Sequence, residues 1–321
     1  MRTLCFLICT LTASVAVADD AVVIKFGGTI FGDYSYTANG VRPSSFQITR
    51  AYLNVTGTIT PLISFRITPD IARESGNGSS LAGSQPFRLK YAYGQLNLDQ
   101  WATKGSWVRL GAQQTPYLDF TESSYRYRFQ GTIFSEREGF LTSSDNGVSV
   151  HYNLPGERGD VHAGYYNGEG YAKAETNAEK AFQVRASVQA MKGLKLTGFA
   201  NLDHSNATTE RSRFIAGATY EHAHANAGIE YLVAHDAVDA RGWSAWVTPR
   251  LGNGFEALLR YDTLQPNTTL SATRTRDIVG ISYWMRGPKG TAAAILLDRD
   301  HAQDPARVDD TRFGVHVLLA F

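Results

Sequence analysis

Residues 312–321 read RFGVHVLLAF, with Phe313, Val315, Val317, Leu319 and Phe321 on one parity and Arg312, Gly314, His316, Leu318 and Ala320 on the other. Successive side chains of a β-strand point to opposite faces, so this stretch predicts a strand with one apolar face that ends on an aromatic residue. The same period of two recurs upstream. Phe182, Val184, Ala186, Val188 and Ala190 interleave with Gln183, Arg185, Ser187 and Gln189. Phe255, Ala257, Leu259 and Tyr261 alternate with Glu256, Leu258, Arg260 and Asp262, and Val108, Leu110 and Ala112 with Arg109, Gly111 and Gln113. About sixteen such segments begin near residues 22, 45, 62, 86, 106, 146, 159, 179, 193, 212, 223, 242, 253, 274, 290 and 311.

The connections between them alternate in length. Long ones fall near 37–44, 72–85, 115–145, 168–178, 203–211, 236–241, 263–273 and 300–310; short ones include Thr60-Pro61, Leu154 to Gly159, Met191-Lys192-Gly193, Leu251 to Gly254 and Arg286 to Gly290. A soluble sandwich has no reason to sort its loops in this way, whereas an outer-membrane barrel has short periplasmic turns and long extracellular loops. The expected fold is therefore all-β: a transmembrane, antiparallel, up-and-down β-barrel of about 16 strands, with both termini on the periplasmic side. Such a barrel is wide enough for an aqueous lumen. After Asp19 no apolar run approaches the ~20 residues of a spanning helix, and the mean hydropathy is −0.24.

Composition agrees. The chain holds 16 Tyr, 16 Phe, 5 Trp and 30 Gly, with 3 Met and 2 Cys, a profile of strands and tight turns. A net charge of +1 argues against a nucleic-acid binder held by bulk charge. Residues 1–18 predict a cleaved signal peptide: Arg2 is the positive start, Leu4 to Val17 the apolar core, and Ala16-Val17-Ala18 the small-residue cleavage site. Residues 19–321 then form a single barrel domain. Cys5 and Cys9 lie in the leader, so the mature chain has no thiol, and loss of Arg2 leaves its acids and bases balanced.

The long connection 115–145, TPYLDFTESSYRYRFQGTIFSEREGFLTSSD, carries the motifs. Gln113-Gln114-Thr115-Pro116, Tyr125 to Gly131, Glu136-Arg137-Glu138-Gly139 and Ser143 to Gly147 resemble porins of the phosphate-selective O and P superfamily. The match covers about 35 residues. It implies a bacterial outer-membrane porin, sixteen-stranded and homotrimeric, for small hydrophilic solutes with inorganic anions among them. The arginine ladder and lysine cluster of the phosphate-selective members have no residue-by-residue counterpart, so phosphate itself is not implied. In trimeric porins the loop after the fifth strand folds into the lumen, and 115–145 holds that place; it is the expected inward constriction loop.

With the apolar parity facing lipid, the lumen wall presents Lys25, Arg50, Arg66, Arg109, Arg185, Lys195, Arg213, Arg260 and Arg312 against Asp70, Glu230, Glu256 and Asp262. Rings of basic side chains lower the barrier to anions, while pairing with loop carboxylates would leave them merely structural. Arg109, Tyr125, Arg126, Arg128 and Arg137 are the expected constriction or solute contacts, Glu136 and Glu138 a latch onto wall arginines, and Phe321 the signal read by the barrel assembly machinery. The expectation is a passive channel with a modest anion preference; a general or carbohydrate-permeable porin stays open, as does, remotely, a barrel enzyme or surface adhesin. Asp203-His204-Ser205-Asn206 superficially resembles a hydrolase pair, but neighbours in a strand face opposite ways, and the segment reads as a solvated loop. His222 and His224 lack further ligands nearby. No cofactor or metal motif is present, and no catalytic residue is assigned.

Overall fold

The computed structural model describes residues 22–38, 43–74, 80–175, 177–206, 209–287 and 291–321, with the backbone alone at 205, 206 and 286. The expected leader, 1–18, with Cys5 and Cys9, lies outside the described residues. The strands are β1 (Val23–Thr37), β2 (Ser45–Thr60), β3 (Ile63–Ile71), β4 (Phe87–Asn97), β5 (Trp107–Gln114), β6 (Ser144–Asn153), β7 (Gly159–Tyr166) and β8 (Ala181–Met191). They continue as β9 (Leu194–Asn206), β10 (Thr209–His222), β11 (Ala225–His235), β12 (Ala240–Gly252), β13 (Phe255–Gln265), β14 (Arg274–Arg286), β15 (Ala292–Gln303) and β16 (Asp310–Ala320). Two short helices, α1 (Pro116–Ser124) and α2 (Phe134–Arg137), interrupt them between β5 and β6.

Each strand pairs antiparallel with its sequence neighbours, and β1 pairs with β16, giving a closed barrel of 16 strands. Every strand begins within 3 residues of its expected position. The alternation explains why. Phe26, Leu110, Leu202, Ile229, Val279, Leu297 and Phe313 are exposed on the outer face, whereas Arg185, Glu256, Arg260, Asp262 and Asp300 on the other parity are buried. An apolar surface this continuous is stable only against lipid. Its two rims carry aromatics, Tyr152, Tyr220, Phe255, Tyr283 and Phe321 at the short-turn end and Tyr36, Phe46, Phe87, Tyr165, Phe182, Trp243 and Phe313 at the long-loop end. Such paired girdles mark the two membrane–water interfaces.

The loop pattern departs from expectation in places. β9 extends to Asn206 and β10 starts at Thr209, so Asp203 to Asn206 is strand and not loop; Asp203 faces Arg211 in register and the two form an ion pair. The connection expected at 236–241 shrinks to 236–239. At the opposite end residues 98–106 form a longer turn, folded by Leu98 N–H donating to Ser106 O and Gly105 N–H to Asp99 Oδ1.

The seam is built by backbone. β1 and β16 are in register from Thr29↔Ala320 to Thr37↔Arg312. Beyond them Gly28 N–H donates to Phe321 O (2.8 Å) and Phe321 N–H to Gly28 O (3.0 Å). The Phe321 ring covers Gly28 so closely that a Cβ there would meet Cζ at 2.4 Å. The residue thus closes the ladder through its main chain and its ring uses space that only glycine leaves. Deleting Phe321, or replacing Gly28→Val, should lower the yield of heat-modifiable barrel in the membrane while leaving export unchanged. Wild-type yield on seminative gels in both variants would count against this.

Candidate functional site

Segment 115–143 contributes 8 of the 22 buried residues of the apolar core among the described residues. Tyr117, Leu118, Tyr125, Tyr127, Phe129, Ile133 and Phe134 are each at most 3% exposed. They pack against Phe199, Ile215, Leu232, Leu258, Ile278 and Leu296, apolar residues that occupy the otherwise polar parity of β9, β10, β11, β13, β14 and β15. Across the strands Phe199, Ile215 and Leu232 are register partners in one row, so the docking surface is continuous. Opposite Leu232 stands Gly242, where a Cβ would lie 2.7 Å from the Phe134 ring. Pro116 opens α1, where a missing N–H costs nothing and φ is already set.

Polar anchors surround this core, and most run from the segment to acids of the wall. The Tyr117 hydroxyl donates to Glu230 Oε2 (2.6 Å). Arg126 donates to both oxygens of Glu256 (2.6 and 2.5 Å). Tyr127 Oη lies 2.7 Å from Ser282 Oγ and accepts from Trp284 Nε1 (3.2 Å). Gln130 donates to Asp298 (3.0 Å), and Arg137 lies 3.6 Å from Asp262. Wall cations answer with bonds to segment carbonyls: Arg185 Nε donates to Pro116 O (3.0 Å) and Arg260 Nη1 to Thr132 O (2.9 Å). Arg260 is itself paired with Asp262 (2.7 Å).

Of the two expected latch carboxylates, Glu138 lies by a wall arginine and Glu136 does not. Glu136 pairs with Arg128 of the same segment, and Glu138 lies 3.8 Å from Arg274 on β14. Arg128 also holds Glu122 at 3.1 Å. Burial raises the Glu122 carboxyl above the ordinary range, against the pull of Arg128. Burial would raise Glu136 too, but Arg128's charge and hydrogen bonds outweigh it and hold that carboxyl low. Tyr125 is 0% exposed, stacked edge-on to Trp246 and hydrogen-bonded by Arg260, so it presents nothing to solvent.

The strands β3 to β5 differ. Arg66 stacks on Tyr91 (4.5 Å) and bonds Asn54 and Thr68. Arg109 lies between Trp107 (3.7 Å) and Tyr93 (4.6 Å) and donates to Gln95 and Gln114. Lys90 is ringed by Tyr52, Tyr91 and Tyr171 at 4.8 to 5.8 Å. Among the described residues none of the three has an ion-pair partner, unlike Arg50, which pairs with Asp70 at 2.6 Å. Aromatic faces fix a cation's position without cancelling its charge. Asp119, exposed on α1, and Glu122 act on this cluster electrostatically.

Of the other expected wall cations, Lys195 lies over Phe120 (5.8 Å), Arg213 pairs with Asp236 (3.1 Å) and Arg312 with Asp300 (3.1 Å), while Lys25 is exposed near the start of β1. Sequence reasoning overlooked Lys90 and the aromatic rack. It also overlooked the inward apolar row, whose signal, an apolar residue on the polar parity, was readable. Among the described residues no group of His, Cys, Asp or Glu is placed to hold a metal ion.

Among solved structures the chain is similar to the anion-selective porin from Comamonas acidovorans, with TM-score 0.68 and 14% identity over 94% of this chain and 100% of that one. OmpF of Salmonella typhi gives TM-score 0.67 at 12% identity, covering 93% and 97% of the two chains. OmpT, an outer-membrane protein of Vibrio cholerae in its trimer form, gives 0.62 at 13% identity, covering 94% and 100%. The barrel has the porin fold. No protein-family model matches the sequence, and no curated protein matches it. The closed barrel, its apolar outer face and its aromatic girdles place the chain in a bacterial outer membrane.

Tyr117→Phe removes the closer of two side-chain donors to buried Glu230, leaving Ser135 Oγ at 3.4 Å, at a cost of about 1–3 kcal/mol. Gly242→Val displaces Phe134. Both should make segment 115–143 more susceptible to proteolysis in detergent-solubilised barrel, with the barrel still heat-modifiable; unchanged cleavage in both would refute the anchoring role.

Proposed function

We propose that this protein is an outer-membrane porin, a passive, water-filled channel for small hydrophilic solutes with a modest preference for anions. In this reading residues 115–143 fold into the lumen and narrow it. The contacts of the segment with β8 to β15 support that placement, since its partners share the polar parity of the wall. The passage then runs between the free side of the segment and β2 to β5.

The observation that carries the ion preference is the contrast between the two sides. Toward β8 to β15 the wall arginines Arg185, Arg213 and Arg260 are bound by carboxylates and only Lys195 of the expected wall cations there rests on a ring, whereas Arg66 and Arg109, both half-buried, are held by aromatic rings with no ion-pair partner among the described residues. Charges more than a Debye length (~8 Å) from the ion path are screened, so those at the constriction decide selectivity. Arg126 and Arg128, expected beside Arg109 as solute contacts, are both paired with acids and contribute less. Asp119 and Glu122 face the same passage and favour the second reading, a general porin without selectivity. The resemblance of residues 113–147 to the phosphate-selective O and P superfamily makes phosphate one anion of the class to test. Removal of residues 1–18 on export and assembly as a homotrimer belong to the same proposal; similarity to a trimeric neighbour supports the latter.

Replacing Arg66 and Arg109 together by Ala should move the reversal potential in a salt gradient toward cations without abolishing conductance. A wild-type channel that already prefers cations, or an unchanged double variant, would leave the general-porin reading in its place.

Acidity gives a second test. A raised carboxyl pKa means that Glu122 takes up its proton at a higher pH than an ordinary glutamate, and loses its negative charge first. Anion preference should therefore grow as the pH falls from neutrality, beginning above the pH at which an ordinary glutamate takes up its proton, and Glu122→Gln should show the acid behaviour already at neutral pH. Selectivity that is flat with pH in the wild type and unmoved in Glu122→Gln would remove Glu122 from the ion path.

A further inference from the structure

At the long-loop end, between the segment's residues 139–142 and strands β8 to β10, lies a polar cavity of ≈ 370 Å³. Its floor is one row of register partners: Gln183 on β8 opposite Asn201 on β9, and Asn201 opposite Arg213 on β10. All three are more than nine-tenths buried, at 7%, 5% and 6% exposure. Gln183 Oε1, Asn201 Oδ1 and Arg213 Nε nevertheless have no hydrogen-bond partner among the described residues. Buried polar groups are almost always paired, and three adjacent exceptions facing one cavity point to a ligand that completes them.

The chemistry of that ligand follows from what is already compensated. Arg211 is paired with Asp203, and the Arg213 Nη atoms with Asp236, Ser212 O and His235 O. Asn177 donates to Glu169. A bound ion of either sign would meet a charge of its own sign on this rim. The groups left to bind are two amide oxygens on the floor, Asn177 Oδ1 across from them and one N–H of the paired Arg213 guanidinium, with the exposed Lys173 ammonium at the rim as a further donor. Phe140, half-buried and 5.6 Å from the Arg213 guanidinium, adds an apolar ring to the lining. Acceptors and a donor on one side with an aromatic face on another suit a pyranose, whose ring C–H face is apolar and whose hydroxyls both donate and accept. The volume falls near the lower end of the ~300–1,000 Å³ of small-molecule sites.

We propose that this cavity is a binding site for a neutral, hydroxyl-rich solute of the mono- or disaccharide class, outside the constriction on the long-loop side. The row next toward the constriction, Arg185–Phe199–Ile215, is already filled by the segment, so a sugar held here does not need to cross it to be bound. The site's role in uptake rests on the porin reading; the binding itself does not.

The test uses the full barrel in detergent, titrated calorimetrically with glucose, maltose and, separately, inorganic phosphate. Saturable binding of at least one sugar is expected, weakened by roughly tenfold or more in Gln183→Met/Asn201→Leu and also in Phe140→Ala, which leaves the wall intact. Arg66→Ala/Arg109→Ala should bind sugar as wild type does. Each variant is checked for heat modifiability first, and Phe140→Ala alone decides if the wall variant does not fold. Binding of neither sugar, binding that survives Phe140→Ala, or phosphate binding lost in the same variants would each overturn the proposal. Sugar binding in a barrel that passes no ions across a planar bilayer would keep the site and overturn the porin reading instead.

Discussion

Inside a bilayer no water reaches the main chain, and every N–H and C=O must find a partner within the protein. A sheet meets that demand only by closing on itself, and here closure is the β1–β16 ladder, extended by the two bonds between Gly28 and Phe321. The other regularities depend on it. Once the ladder is closed, the outer parity must suit lipid and the inner parity is freed from it, which is why Val279 and Leu297 alternate with residues such as Asp298 and Asp300.

Closure at sixteen strands leaves an interior too wide for side chains to fill. A second core joins Tyr125, Tyr127, Phe129 and Phe134 to the apolar residues on the polar parity of β9 to β15. That core is asymmetric. On its packed side the charges of Arg126, Arg260 and Arg137 are bound to Glu256 and Asp262, so they fix position. Across from it Arg66, Lys90 and Arg109 rest on rings, with no ion-pair partner among the described residues. The same residue types thus do two different jobs, set by whether an acid or an aromatic lies beside them.

That distinction marks how far the sequence could be read. Strand positions were legible because lipid imposes period two on each strand separately, as in Phe313 to Leu319. Partner identity was not, because Arg126 and Glu256 are joined only by the folded segment, and nothing local separates Arg126 from Arg109. Loop lengths misled where a tertiary pair intervened: Asp203 and Arg211 bond across the ladder and carry β9 and β10 into a stretch rich in turn-forming residues. One signal was available and unused. Ile215, Leu232, Leu258, Ile278 and Leu296 break the alternation on the polar parity, and together they trace the surface on which the segment docks.

The seam also sets the order of events in folding. It joins Thr29 to Ala320, so the ladder cannot close until nearly the whole polypeptide is present. Before that moment the sheet has two open edges, each a template for pairing with another chain. Contacts of such long range form slowly, and the waiting intermediate exposes the apolar belt to water. The kinetic hazard of a chain built this way lies in the interval between completion of β1 and arrival of β16.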